Sequence, residues 1–265
     1  MFKTPYIKFF CLPNALAADA VAISLCWQAV FASASGVDVH FATANVLGLS
    51  VWLTYMADRL LDVAKRPVAQ LHSVRHRFAK KHSQTLWKIW IGTLIINVGI
   101  AFIGLTKLQF FKGLILLMVC LAYTGLNQKF SSRFFPKELC VAIIYTAGVI
   151  VFLPLDQGLW MPFWILMLIC LINCLMISSR EKQVDIAMSM NSMAQFMPKL
   201  LPALYISCSL LLSSADKQWF LSFGSSLVVL GLIQICKNKL SVEFFRILTD
   251  LALLVGPLIF FGLLF

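Results

Sequence analysis

Four carboxylates form two i,i+4 pairs: Asp58 and Asp62 in Tyr55-Met-Ala-Asp-Arg-Leu-Leu-Asp62, and Glu181 and Asp185 in Arg180-Glu-Lys-Gln-Val-Asp185. The chain has only 11 Asp and Glu in 265 residues, so this concentration needs a physical reason. Residues four apart on a helix share a face, and like charges there repel by about a few tenths of a kcal/mol. Both pairs also fall at the carboxyl end of an apolar stretch, where the helix dipole opposes each carboxylate by roughly 0.3–1 kcal/mol. Local rules broken twice in one geometry mark a functional site. A divalent cation reverses the sign of each penalty, and oxygen ligands select a hard ion such as Mg²⁺ or Ca²⁺. Mg²⁺ takes one or two carboxylates and completes its shell with water and phosphate, so two facing pairs fit a metal-bound diphosphate. For one pair alone, neutralisation of the neighbouring Arg59, Arg66, Arg180 and Lys182 would suffice; the repetition favours the site.

The elements that position these pairs are set by composition. Apolar residues make up 60% of the chain and mean hydropathy is +0.88, against about 45–50% apolar content in soluble domains. Long apolar runs with few charges predict an all-α integral membrane protein and exclude a β-barrel, whose strands alternate. Nine transmembrane helices are predicted, near 13–33, 41–63, 86–106, 109–127, 138–155, 161–179, 199–213, 218–236 and 244–265. Residues 1–265 read as a single membrane domain. The first run imitates a signal peptide, with Lys3 and Lys8 before it and Ala32-Ser-Ala34 after it. Asp19 inside so short a core is costly to insert, which favours a retained helix with its polar residues facing inward.

Lys and Arg orient the bundle. One side collects Lys3, Lys8, Lys65, Arg66, Arg75, Arg77, Lys80, Lys81, Lys129, Arg133, Lys137, Arg180, Lys182, Lys199, Lys237, Lys239 and Arg246; the other has Lys107, Lys112 and Lys217. The positive-inside rule therefore predicts a cytoplasmic amino terminus, with both acidic pairs at the cytoplasmic face. The net charge of +11 belongs to this bias and to anionic headgroups or phosphorylated substrates, not to nucleic acid. The eight cysteines show no CxxC and no Cys/His cluster, and read as small buried hydrophobes. Residues 65–85 form the longest polar connection; its His72, His76, His82 and basic residues read as a solvated positive surface, with room for a cap.

Asp58-x-x-x-Asp62 at the end of the second run, followed by Lys65-Arg66-Pro67, together with Glu181-x-x-x-Asp185 after the sixth, resembles the UbiA-type membrane prenyltransferase superfamily. The resemblance covers nearly the whole chain in helix number and motif placement, and it implies that the nine transmembrane helices surround a central cavity. It departs from the family where Thr54-Tyr55 stand in place of a leading Asn-Asp, where Glu181 stands for the commoner Asp, and where Ser189 stands for a Gly. It implies Mg²⁺ held by Asp58, Asp62, Glu181 and Asp185, and transfer of an isoprenyl group from an isoprenyl diphosphate to a hydrophobic acceptor: an aromatic ring, a quinone precursor or a lipid. Tyr123, Lys129, Arg133 and Lys137 are the candidates for the family's Tyr and basic residues after the fourth helix. With Arg59, Arg66, Arg180 and Lys182 they are the candidate phosphate ligands, and Asp19, Tyr55 and Asn173 the candidate acceptor or cavity residues. The implied setting is a membrane such as the bacterial inner membrane, with the site facing the cytoplasm.

The altered first motif keeps open a terpene cyclase on the same scaffold, in which the cation is captured by its own alkene. A transporter or a non-catalytic subunit is the rival of another class, but transporters place ionisable groups at the bilayer midplane. Here most acids sit at helix ends.

Overall fold

The computed structural model describes residues 11–64, 66–68, 71, 73–130, 135–154, 157–187, 191–197 and 199–263; for residues 157, 184, 185 and 187 it describes the backbone only. All regular structure among them is helical: α1 (Ala18–Ala34), α2 (Phe41–Ala64), α3 (Val74–Lys81), α4 (Ser83–Gly104), α5 (Lys107–Phe130), α6 (Lys137–Ile150), α7 (Trp160–Arg180), α8 (Lys182–Ala187), α9 (Met193–Phe196), α10 (Leu200–Leu212), α11 (Lys217–Ile235) and α12 (Val242–Gly262), with single 3₁₀ turns at Gln157–Leu159 and Lys237–Lys239. A helix falls in each of the nine predicted apolar runs. Five of them, α4, α5, α7, α11 and α12, are long and apolar enough to cross a membrane. α2 has the length but carries Asp58, Arg59 and Asp62. α6 and α10 have 14 and 13 residues, so at 1.5 Å per residue they fall short of a hydrocarbon core about 30 Å thick.

Burial follows an inside-out pattern. α7 packs against α6, α10, α11 and α12 and is the most enclosed long helix, with Ile165, Leu166, Ile169 and Ile172 fully buried. On α4 and α5 the apolar side chains point outward instead; Ile95, Phe102, Ile103, Ile115 and Met118 are all exposed. Apolar faces of this size left uncovered suit lipid and not water. All eight cysteines are free.

Two helix irregularities aim polar groups inward. Ala17 adopts φ 56°, a left-handed conformation that costs a residue with a Cβ about 1–2 kcal/mol and breaks the chain before α1. The break carries Asn14 back against α12, where its side chain meets Asp250. In α12, Pro257 lacks the N–H that would bond the carbonyl of Leu253, four residues earlier. The indole of Trp27 takes that carbonyl at 3.0 Å, which ties α1 to α12.

Candidate functional site

One cavity of about 220 Å³ opens between α1, α2, α5, α6, α7 and α12, under the short helix α3. Asp58 and Asp62 from α2 and Glu181 from just beyond α7 line it together, although they lie more than 100 residues apart in sequence. Tyr55 and Arg59 of α2, Tyr123 of α5, Lys137 of α6, Asn173 of α7 and Asp19 of α1 line the same space. Of the other candidates, Arg66, Lys129, Arg180 and Lys182 are not among its lining residues. Arg66 donates to the carbonyl of Asp62 at 2.6 Å and closes the end of α2, Lys129 lies over the Phe130 ring, Arg180 donates to the carbonyl of Leu240, and Lys182 is exposed. Arg133 lies outside the described residues, as does the side chain of Asp185.

The two acidic motifs are not equivalent. Asp58 and Asp62 have loose contacts: Asn127 Nδ2 and Gln128 Nε2 of α5 stand 3.5 Å from their respective Oδ1 atoms, and Arg66 Nη1 lies 3.5 Å from Asp62 Oδ1. Both carboxylates keep acceptor capacity toward the cavity. Glu181, 5% exposed, is engaged on both oxygens: Arg246 Nη1 approaches Oε1 at 2.6 Å and Arg75 Nη2 approaches Oε2 at 2.9 Å. Burial pushes its carboxyl up, but the guanidinium groups of Arg75 and Arg246 outweigh burial and hold it below the ordinary range. The expectation of Glu181 as a metal ligand therefore meets a carboxylate already paired with two arginines. Among the described residues no group of three or more His, Cys, Asp or Glu could hold a metal ion.

The connection at 65–85 is not simply a solvated surface. Ser73 caps α3, accepting from the N–H of His76, and Glu243 of α12 accepts from the N–H of Val74 at 2.9 Å. Lys80 donates to the carbonyl of Val63 at the end of α2. Ser73, His76 and Ala79 are buried, and Arg75 and His76 line the cavity. The segment is a cap across the mouth, held on both sides. Burial, and then the surrounding charges of Arg75, Arg59, Arg246 and Arg66, hold the His76 imidazole down to about 2, so it is neutral.

Several residues in or beside the cavity were not among the site candidates in the sequence. Arg246 reads there as one more basic residue near a span end, yet it is 2% exposed and bonds Glu181, Glu243 and Asn14. Glu138 accepts from Ser178 Oγ at 2.7 Å and joins α6 to α7. Asn127, 3% exposed, lines the cavity with Oδ1 buried and without a hydrogen-bond partner among the described residues. Asp250, a lone acid in an apolar run, carried the same signal as Asp19, since an ionisable group at that depth is costly unless it works. Arg59 does line the cavity, but its Nη1 donates to the carbonyls of Asn14 and Ala15 at 2.6 and 2.8 Å, so it also anchors the segment before α1.

Comparison with protein-family models, curated proteins and solved structures finds no match.

Proposed function

We propose that the chain is a nine-span membrane enzyme of the UbiA type, with its amino terminus in the cytoplasm, that binds an isoprenyl diphosphate at the cytoplasmic mouth of this cavity and transfers the isoprenyl group to a hydrophobic acceptor. The observation that carries this reading is the convergence of Asp58, Asp62 and Glu181, from two distant stretches of chain, on one cavity that also holds Arg75 and Lys137. A purely structural acid pair has no need of such a meeting place.

The residues present fit a Mg²⁺ ion at Asp58 and Asp62. Neither carboxylate has a close partner among the described residues, and the amide of Asn127, whose Oδ1 has no hydrogen-bond partner among those residues, stands beside Asp58. Two carboxylates are the number Mg²⁺ commonly takes from a protein when substrate phosphate supplies the rest. When bound, the ion supplies charge neutralisation to the departing diphosphate. Glu181 supports the site indirectly, by fixing Arg75 at the mouth.

The chain's own groups account for the remaining work. Arg75 and Lys137 are cations fixed where a diphosphate would develop charge as the allylic carbon–oxygen bond breaks. The Tyr123 ring lines the same wall, and an aromatic face stabilises a cation. Ile23, Ala142 and Leu253 give the cavity an apolar floor that excludes water from the cation. The neutral His76 closes the mouth without adding a further positive charge.

The test is turnover of farnesyl or geranylgeranyl diphosphate by the full chain in lipid nanodiscs with Mg²⁺. Diphosphate release by the wild type and its loss in Asp62→Asn support the reading. Unchanged release in that variant refutes the assignment of this site.

A further inference from the structure

The cavity has two storeys, and the inner one holds a second acidic centre. On α12, Asp250 follows Arg246 by one helical turn, about 6 Å further in at 1.5 Å per residue. On α7, Asn173 precedes Glu181 by eight residues, roughly 12 Å. The amide of Asn173 bonds the Asp250 carboxylate at 3.4 Å and the Thr249 carbonyl at 2.9 Å, so these two positions stand level. α6 packs against α7, joined by the bond from Ser178 to Glu138, and Tyr145, two turns beyond Glu138, lines the same cavity as Asn173 and Asp250.

Asn14 organises this storey. Its Oδ1 accepts from Arg246 Nε at 3.1 Å, which fixes the amide so that Nδ2 faces the acids. Nδ2 then donates to Asp19 Oδ2 at 2.5 Å and to Asp250 Oδ2 at 3.0 Å. Asp19 is further held by the N–H of Ala20 at 2.9 Å, whereas among the described residues Asp250 has only the longer contacts to Asn14 and Asn173. Both carboxylates line the cavity. Tyr145 lines it too, and its hydroxyl oxygen is fully buried with no hydrogen-bond partner among the described residues. An unpaired buried hydroxyl is destabilising, and a ligand group at this point removes that cost.

We propose that Asp250 is the proton acceptor of the reaction, and that the second substrate is an uncharged molecule whose hydroxyl sits between Asp250 and Tyr145. This rests on the prenyl-transfer reading above and deepens it. A hydroxyl complements the pair: it accepts from Tyr145 and donates to Asp250. An acceptor carrying its own carboxylate would bring a third acid beside Asp19 and Asp250, and like charges at short range repel.

The step balances without a further reagent. The allylic carbon–oxygen bond breaks and its electron pair leaves with the diphosphate. A lone pair of the acceptor oxygen forms the new bond to that carbon, and the hydroxyl proton passes to Asp250. Asp19, through Asn14, holds the geometry and touches no reacting atom.

The experiment uses the full chain in nanodiscs with Mg²⁺, farnesyl diphosphate as donor and either hydroquinone or 4-hydroxybenzoate as acceptor, and measures donor binding separately with farnesyl thiolodiphosphate. Transfer to hydroquinone in preference to 4-hydroxybenzoate is expected. Asp250→Asn is expected to lower that transfer by about 100-fold or more while leaving thiolodiphosphate affinity within about twofold, the mark of a lost base and an intact donor site. Tyr145→Phe, which removes one oxygen and no charge, carries the test where Asp250→Asn does not fold; it is expected to raise the hydroquinone KM roughly tenfold with kcat little changed. Donor binding without transfer to hydroquinone, preference for the carboxylated acceptor, full transfer by Asp250→Asn, or an unchanged hydroquinone KM in Tyr145→Phe overturns the inference and leaves the donor site standing. A wild type that binds no thiolodiphosphate overturns the enzyme reading, and the inference with it.

Discussion

Arg246 Nη1 lies 2.6 Å from Glu181 Oε1, joining the start of α12 to the end of α7 across the mouth of the cavity. Both groups are buried, and Arg246 also bonds Glu243 and the side chain of Asn14. Two carboxylates therefore depend on one guanidinium, whereas Glu181 retains Arg75 if Arg246 is lost.

That asymmetry predicts an order of stabilities. Removing one partner of a buried ion pair costs about 3–5 kcal/mol because the other charge is left in a poorly solvated place. Arg246→Met, which takes the guanidinium from Glu243 and leaves Glu181 with Arg75 alone, is expected in that range. Glu181→Gln, which leaves Arg246 with Glu243, is expected below it. Unfolding in mixed micelles, followed by tryptophan fluorescence, measures both; equal losses in the two variants would show that the network is not centred on Arg246.

Acid sensitivity follows from His76 and Glu181. An unfolded histidine takes its proton near pH 6.5, whereas folded His76 stays neutral down to about 2. The folded state is thus fully favoured above pH 6.5 and loses ground as pH falls, by about 2–3 kcal/mol between pH 7 and 4.5. Glu181, with its carboxyl held below the ordinary value, acts in the same direction, but only from its unfolded value near 4.5 downward. His76→Gln is expected to flatten the stability curve between pH 6.5 and 4.5 and to leave the fall below pH 4.5 in place. Thermal unfolding across that range reads the difference.

Arg75 tests the mouth separately from the fold. Its side chain is about one quarter exposed, and Glu181 keeps Arg246 when Arg75 is removed. Arg75→Gln is expected to change stability by less than about 1 kcal/mol, as for a partly exposed pair. Under the proposed function it should still raise the KM for an isoprenyl diphosphate by roughly tenfold or more, since a cation beside the phosphate oxygens is lost. Steady-state kinetics in nanodiscs, set beside the melting curve, separates the two effects. A large stability loss with unchanged KM would make Arg75 a strut and not a ligand.

What the sequence could reveal of this arrangement was what repeats along a single helix. The apolar runs locate the helices, and the four-residue spacing of Asp58 and Asp62 places both acids on one face, which does meet the cavity. Partnerships across helices leave no such mark. Arg246 pairs with a carboxylate 65 residues away, and in sequence it is indistinguishable from the solvated Lys and Arg of the positive side. The cap at α3 was hidden for the same reason: its buried Ser73, His76 and Ala79 are spaced on one helical face, but strong charge around them masks the pattern. The inner storey depends on the left-handed Ala17, which nothing in the residue type announces, since alanine is among the residues least suited to that conformation. Sequence spacing fixes which side chains share a face; which faces meet is decided by packing.

The close approach of α1, α11 and α12 gives the last prediction. A Cβ at Gly256 would come within 2.8 Å of Trp27 Cη2 and Cζ2 and 2.9 Å of the Ser222 carbonyl oxygen, both contacts shorter than real Cβ atoms make. Trp27 cannot swing aside, because its ring is fully buried, stacks on Phe223 at 4.9 Å and donates to the carbonyl that Pro257 leaves open. The backbone of Gly256 is also held, its N–H by Ser226 Oγ and its carbonyl by Ser222 Oγ. Gly256→Ala must therefore separate the helices, at a cost of about 1–3 kcal/mol typical of overpacking. Because α12 carries Asp250 into the cavity and Arg246 against Glu181, the same displacement is expected to lower turnover as well as the melting temperature. Gly224→Ala, where an added Cβ meets nothing within 4 Å, is the control and should leave both unchanged. Equal behaviour of the two variants would mean that the helices at Trp27 are not packed as closely as described.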